Sequence, residues 1–172
     1  LAKEFATHGH NLILTARRKE SPEHIVAACR TLGRSVDVII VDLADSTGPQ
    51  RVYEAVEKLG HPVKYLVNNA GFGTYGEFAN IDAAETDNLI AVNISAVTKL
   101  TKLFLPQISK QKGGILNVAS TAAFLPGPLM ASYYASKAYV LNFSLGIREE
   151  LAGTVHVSVL CPGPTKTGFQ HR

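Results

Sequence analysis

Three residues of this sequence, Ser120, Tyr133 and Lys137, have the types and spacing needed to move a proton. Tyr133 and Lys137 stand four apart in Tyr133-Tyr134-Ala135-Ser136-Lys137, so on a helix they share one face, one turn apart. A lysine ammonium beside a phenol favours the phenolate. A phenol held this way can give or take a proton near neutral pH. Ser120 lies thirteen residues earlier, at a predicted strand end, from where its hydroxyl can hydrogen-bond the same oxygen. Taken alone, the tyrosine and lysine are equally compatible with an exposed pair on a surface helix.

The elements that must hold these residues alternate along the chain. Residues 1–8 read as a helix ended by Gly9, and 11–16 as a short buried strand. Ser21-Pro22-Glu23 starts a helix with a capping hydroxyl, a proline in the first turn and an acid that suits the dipole; Gly33 ends it. The β-branched run Val36-Asp37-Val38-Ile39-Ile40-Val41 predicts a strand covered on both faces. A helix from Pro49 to Leu59, closed by Gly60, and a strand at 65–67 follow. Residues 84–105 carry a long helical pattern with apolar residues at Leu89, Ile90, Val92, Val97, Leu100 and Phe104, which Pro106 is expected to end or kink. A strand at 115–119, a helix at 133–151 and a strand at 155–160 complete the series.

Strands alternating with helices predict an α/β fold, a doubly wound parallel sheet with helices on both faces. Ligands of such sheets bind at the carboxyl ends of the strands. Here those ends carry Arg17-Arg18-Lys19, Asp42-Leu43, Asn68-Asn69-Ala70-Gly71, Ser120-Thr121 and Cys161-Pro162-Gly163-Pro164-Thr165-Lys166-Thr167. Polar and small residues thus gather on one predicted edge.

Composition narrows the class. The 172 residues (18.5 kDa) suit one domain, and 46% hydrophobic against 18% charged residues supports a core rather than disorder. No apolar run approaches the ~20 residues of a membrane span, and no signal peptide is visible. A net charge of +3, scattered, is no nucleic-acid footprint. Cys29 and Cys161 are too few for a disulfide scaffold. The histidines (8, 10, 24, 61, 156 and 171) never pair at ligand spacing, so no metal site is expected. A cytoplasmic protein is the expectation.

Ser-x12-Tyr-x3-Lys at 120–137, Asn-Asn-Ala-Gly at 68–71 and Pro-Gly-x3-Thr at 162–167, in this order, resemble the short-chain dehydrogenase/reductase family. The resemblance runs from the opening helix to Thr167. It implies a Rossmann-like, NAD(P)-binding domain over residues 1–172 that transfers a hydride between a nicotinamide and a carbonyl or alcohol. By position, Tyr133 matches the catalytic acid/base. Lys137 matches the residue that tunes it and holds the nicotinamide ribose, and Ser120 the residue that orients the substrate oxygen. Asn93 matches the helix asparagine of a proton relay, with a buried polar residue satisfied by backbone as its other reading. Asn69, Ala70 and Gly71 match the motif on the adenosine side of the cofactor, and Asp42 and Leu43 the pair flanking adenine. Pro162, Gly163, Thr165 and Thr167 match the loop along the nicotinamide and pyrophosphate. Asn68 reads as structural, tying strands together. The family's dimer faces fall on the helices around 84–105 and 133–151, so a homodimer or homotetramer is implied.

The strand before Arg17 ends in Ala16, where an acid would bind a ribose diol and repel a 2′-phosphate. Arginine instead offers fixed donors to phosphate. NADP rather than NAD is therefore the expected cofactor, unless Arg17-Arg18-Lys19 is only a solvated charge run. Phe124, Leu125, Pro126, Leu129 and Met130 suggest an apolar substrate wall. The aromatics in 72–78 either line its entrance or pack an ordinary loop. Cys161 reads as a small core residue rather than a nucleophile.

The sequence departs from the family in lacking the glycine-rich TGxxxGxG loop and the first strand, and the final strand after Thr167. Leu1-Ala2-Lys3-Glu4-Phe5-Ala6 reads as the middle of a helix without a cap. An incomplete sheet and a partial domain that binds cofactor poorly by itself are expected. The alternatives to an oxidoreductase are a non-catalytic nucleotide-binding or scaffold protein and an inactive truncated fragment.

Overall fold

The structure, a computed structural model, describes residues 1–18 and 22–164. They fall into two compact units, Leu1–His61 and Pro62–Arg172, each with its own parallel sheet. Among the described residues, five strands form two hydrogen-bonded ladders, of two and three strands.

In the first unit, α1 (Ala2–Thr7) leads into β1 (Leu12–Ala16), α2 (Glu23–Thr31), β2 (Val36–Ile40) and α3 (Gly48–Leu59). β1 and β2 pair in register from Leu12↔Val36 to Ala16↔Ile40. Ala6, Cys29 and Val36 form the core, with Ala2, Leu12, Leu14, Ile25 and Val26 packed against it. Along β2 only Val36 is buried and Ile40 is exposed, so the strand is less covered than its apolar run predicts. Each strand of a two-stranded ladder has one neighbour, which limits what can cover it. Pro22 sits at the start of α2; the capping role expected of Ser21 lies outside the described residues. Pro49 stands in the first turn of α3, and Gly60 ends it with φ 69°, a left-handed conformation that glycine takes without a Cβ clash.

In the second unit, β3 (Tyr65–Asn68), β4 (Gly114–Val118) and β5 (His156–Leu160) pair in parallel in that order. Between β3 and β4 runs α4 (Ala83–Ile90), then a π-helical turn at Ala91–Ala96, then α5 (Val97–Lys110). The Asp82 carboxylate caps α4 by accepting from the Ala84 N–H (2.9 Å). α6 (Ala131–Glu150) joins β4 to β5.

Pro106 lies inside α5 and does not end it, against the expectation. It and Lys102, one turn back, are exposed, so the carbonyl that loses its donor can turn to water. The helical run Ala83–Lys110 is also longer than the sequence pattern predicts. By length and composition it is apolar enough to cross a membrane, again against expectation. Here 44% of its most apolar window is buried within the protein, with Leu89, Val97, Leu100, Phe104 and Ile108 turned inward.

Behind the strand ends lies a polar core. Asn68 Nδ2 donates to Thr101 Oγ1 (3.1 Å) and to Asn117 Oδ1 (2.8 Å). Asn117 Nδ2 donates to Ser144 Oγ (2.9 Å), and Ser144 Oγ donates to the Val140 carbonyl (2.6 Å). Asn68 and Asn117 are register partners, so these bonds tie β3 to β4 and both to α5 and α6. The strand-tying role read for Asn68 is the role its geometry gives it.

Candidate active site

Tyr133 sits in the first turn of α6 and Lys137 one turn later. The Lys137 ammonium lies 5.8 Å from the centre of the Tyr133 ring and donates to the Val118 carbonyl at the end of β4 (2.9 Å). The lysine therefore fixes the tyrosine's helix to the carboxyl edge of the sheet. Lys137 is only 5% exposed. Burial pushes its ammonium down from the usual 10.5 to about 8, while the charge interaction with Cys161 acts in the other direction.

Ser120 follows β4 and opens the short 3₁₀ turn Thr121–Phe124. Its Oγ accepts from the Ala122 N–H (3.1 Å), which fixes the hydroxyl at the strand end. The neighbouring Thr121 N–H donates to the Pro162 carbonyl (3.0 Å). The loops after β4 and β5 are thereby joined at the edge where Tyr133 and Lys137 arrive.

The loop after β3 is held by Asn93, which projects from the π-helical turn. Asn93 Oδ1 accepts from the Phe72 N–H (3.1 Å), and its Nδ2 donates to the Phe72 carbonyl (2.9 Å) and to Ser136 Oγ (3.0 Å). π-turns often mark functional sites; this one carries the residue that clamps the strand-end loop. The side chain is buried and its donors are engaged, which is the backbone-satisfied arrangement. At Gly71 the loop backbone approaches two site residues closely. A Cβ there would lie 3.1 Å from Asn93 Oδ1 and 3.3 Å from Lys137 Nζ, tight contacts that one of them would have to relieve.

Asn69 and Ala70 are exposed in the same loop, and Pro162 and Gly163 follow β5. Thr165 and Thr167 lie outside the described residues. In the first unit, Arg17 and Asp42 are exposed and Leu43 buried, at the carboxyl ends of β1 and β2. Asp42 Oδ1 accepts from the Ala44 N–H (2.9 Å). Cys161 packs at the edge of the Val97, Ala119 and Val140 cluster, as a small core residue would.

Apolar side chains stand out beside the site. Tyr75, Phe78, Phe124 and Leu125 are each at least 63% exposed. The two loops that carry them are latched by the Gly76 N–H donating to the Leu129 carbonyl (2.9 Å), and Leu129 holds φ 65°. Sequence reasoning missed three contributors. The Val118 carbonyl and the Phe72 backbone act through main-chain atoms, which no residue type announces. Ser136 sits three residues after Tyr133, a spacing at which a serine hydroxyl can reach back to a helix carbonyl.

Comparison with known proteins gives one consistent picture. The profile of the short chain dehydrogenase family matches residues 1–172. The human 17-beta-hydroxysteroid dehydrogenase type 3 is 40% identical over 174 residues, covering 96% of this chain and 54% of that protein. The 11-beta-hydroxysteroid dehydrogenase 1A of Arabidopsis thaliana is 34% identical over 165 residues, covering 95% of this chain and 47% of that protein. The chain thus spans about half the length of these curated relatives. Among solved structures, a short-chain dehydrogenase from Sphingobium yanoikuyae in complex with NADPH superposes with a TM-score of 0.91 at 31% identity, over 99% of this chain and 68% of that one. A bulky-bulky ketone specific alcohol dehydrogenase from Comamonas testosteroni gives a TM-score of 0.88 at 31% identity, over 96% and 67%.

Proposed function

The chain belongs to the short-chain dehydrogenase family, and on that premise we propose that it serves an NADP-dependent oxidoreductase acting on a carbonyl or alcohol with an apolar body. The observation that carries this proposal is that Lys137, one turn after Tyr133 on α6, is bonded to the Val118 carbonyl at the end of β4, two residues before Ser120. A buried ammonium beside the bare backbone of Gly71 suits a nicotinamide riboside, with Lys137 as donor to its hydroxyls. Asn69, Ala70, Gly71, Pro162, Gly163, Thr165 and Thr167 belong to the same proposal, with Asp42 and Leu43 at the adenine and Arg17 at a 2′-phosphate. An exposed arginine in place of an acid supports NADP over NAD. The bound nicotinamide supplies or accepts the hydride.

The chain's own residues supply the proton and the geometry. In reduction, the Ser120 hydroxyl donates to the substrate oxygen and orients it. The Tyr133 hydroxyl gives its proton to that oxygen as the alkoxide forms, and takes it back in oxidation. The Lys137 ammonium places positive charge beside the tyrosine ring. Asn93 supports the site by holding Phe72 and Ser136. Phe124, Leu125 and Leu129, exposed next to Ser120 in sequence, would meet the substrate's apolar part.

The test is NADPH consumption against a panel of ketones graded in bulk, with NADH run alongside. Turnover that favours NADPH and bulky ketones is expected, and Tyr133→Phe should lower it by about a hundredfold or more. Turnover that survives in Tyr133→Phe would overturn the proton-transfer role. NADPH binding without turnover on any ketone or alcohol would favour a nucleotide-binding or scaffold protein.

A further inference from the structure

Ser136 is 0% exposed, in the turn of α6 between Tyr133 and Lys137. A buried hydroxyl needs partners, and these identify its task. The Phe72 N–H can only donate, so it fixes the Asn93 amide with Oδ1 toward it. Asn93 Nδ2 then has two hydrogens, one for the Phe72 carbonyl and one for Ser136 Oγ. The Tyr133 carbonyl can only accept, so the Ser136 hydroxyl sends its own hydrogen to it, 2.7 Å away. The directions are thus set throughout, from the strand-end loop after β3 to the backbone of the tyrosine.

We propose that Ser136 is a positioning residue for Tyr133: its hydroxyl joins the helical turn carrying the phenol to Asn93, and through Asn93 to the Phe72 backbone. The hydroxyl bonds back to the backbone of the residue whose ring faces the Lys137 ammonium. Gly71 lies against the same Asn93 oxygen and the Lys137 ammonium. One clamp therefore sets both the height of the phenol and the position of the strand-end loop beside the lysine. Small errors in such placement are costly in rate, up to about a hundredfold for a shift near 1 Å.

The inference rests on the proton-transfer role proposed for Tyr133, and the experiment separates the two. In the full chain, wild type, Tyr133→Phe, Ser136→Ala, Ser136→Cys and Ser136→Thr are compared for kcat, KM for NADPH, the pH profile of kcat and Tm. Ser136→Ala should lose about tenfold or more in kcat with KM for NADPH within about twofold, and its pH profile should shift. Ser136→Cys keeps a weak donor and should fall between alanine and serine, and Ser136→Thr should recover most of kcat. A kcat and pH profile unchanged in Ser136→Ala, or rates that follow side-chain volume or Tm instead of donor strength, overturn the positioning role. Should Ser136→Ala fail to fold, the serine, cysteine and threonine series decides by the same criterion. Turnover that persists in Tyr133→Phe locates the failure in the role of Tyr133 itself.

Discussion

Lys137 concentrates the site's energetics in one side chain. Its ammonium is buried in the folded chain and titrates at about 8 there, against about 10.4 when unfolded. Below 8 both states hold the proton, and the folded state bears the full cost of burying charge. Between 8 and 10.4 the unfolded chain binds more protons, so stability rises with pH. Replacing Lys137 by Met removes this dependence. The variant's stability advantage at pH 7 should therefore shrink, by up to about 3 kcal/mol, as pH rises to 10. Urea unfolding of both proteins across this range measures it, and a pH-independent difference would show that the ammonium carries no burial cost. Activity of Lys137→Met should be lost at every pH. On the role proposed for Lys137, function runs against stability. The placement of Ser120 at a strand end and of Tyr133 and Lys137 one turn apart on a helix was legible in the sequence because it depends on spacing and element order. Ser136, Phe72 and Val118 were not legible, since two act through the backbone and the third through a contact that exists only after the π-helical turn and α6 have packed.

The long helical run between β3 and β4 shows what an element can conceal. Leu89, Val92, Val97, Leu100, Phe104 and Ile108 step by three or four residues except for the five from Val92 to Val97 across the π-turn, an offset small enough to read as unbroken helix. The turn is set by the Asn93 bonds to Phe72, which are long-range in sequence. Pro106 misled in the opposite way. The expected break follows from the missing donor, yet the affected turn faces water and the helix continues. Pro106→Ala should accordingly stabilise the chain, on the order of 1–2 kcal/mol in urea unfolding, because it restores an internal helix bond. The opposite outcome, destabilisation, would mean that the proline's rigidity matters more than the missing bond. Asn117→Leu should cost about 2–4 kcal/mol, since it leaves a buried hydrogen of Asn68 without an acceptor.

At the scale of the whole molecule, the alternation of strands and helices was readable because each element carries its own period and its own glycine or proline punctuation. The division into two ladders follows from which strands find hydrogen-bonded neighbours. The proposed coenzyme choice belongs to this scale, since it would rest on charge at a strand end remote in sequence from the residues proposed to transfer the proton. Arg17→Ala should lower the NADPH-to-NADH ratio of kcat/KM by about ten- to a hundredfold, with the NADH value nearly unchanged. An unchanged ratio would leave Arg17 as a solvated charge. The paired amides of Asn68 and Asn117 have a consequence for how the molecule assembles. Side chains alternate faces along a strand, so a slip of one residue between β3 and β4 would turn Asn68 away from its partner. An amide would then be stranded among apolar neighbours with nothing to bond. The pair works as a checksum on strand alignment: a misregistered ladder would fail it, and the carboxyl edge proposed to carry the chemistry rests on the register it checks.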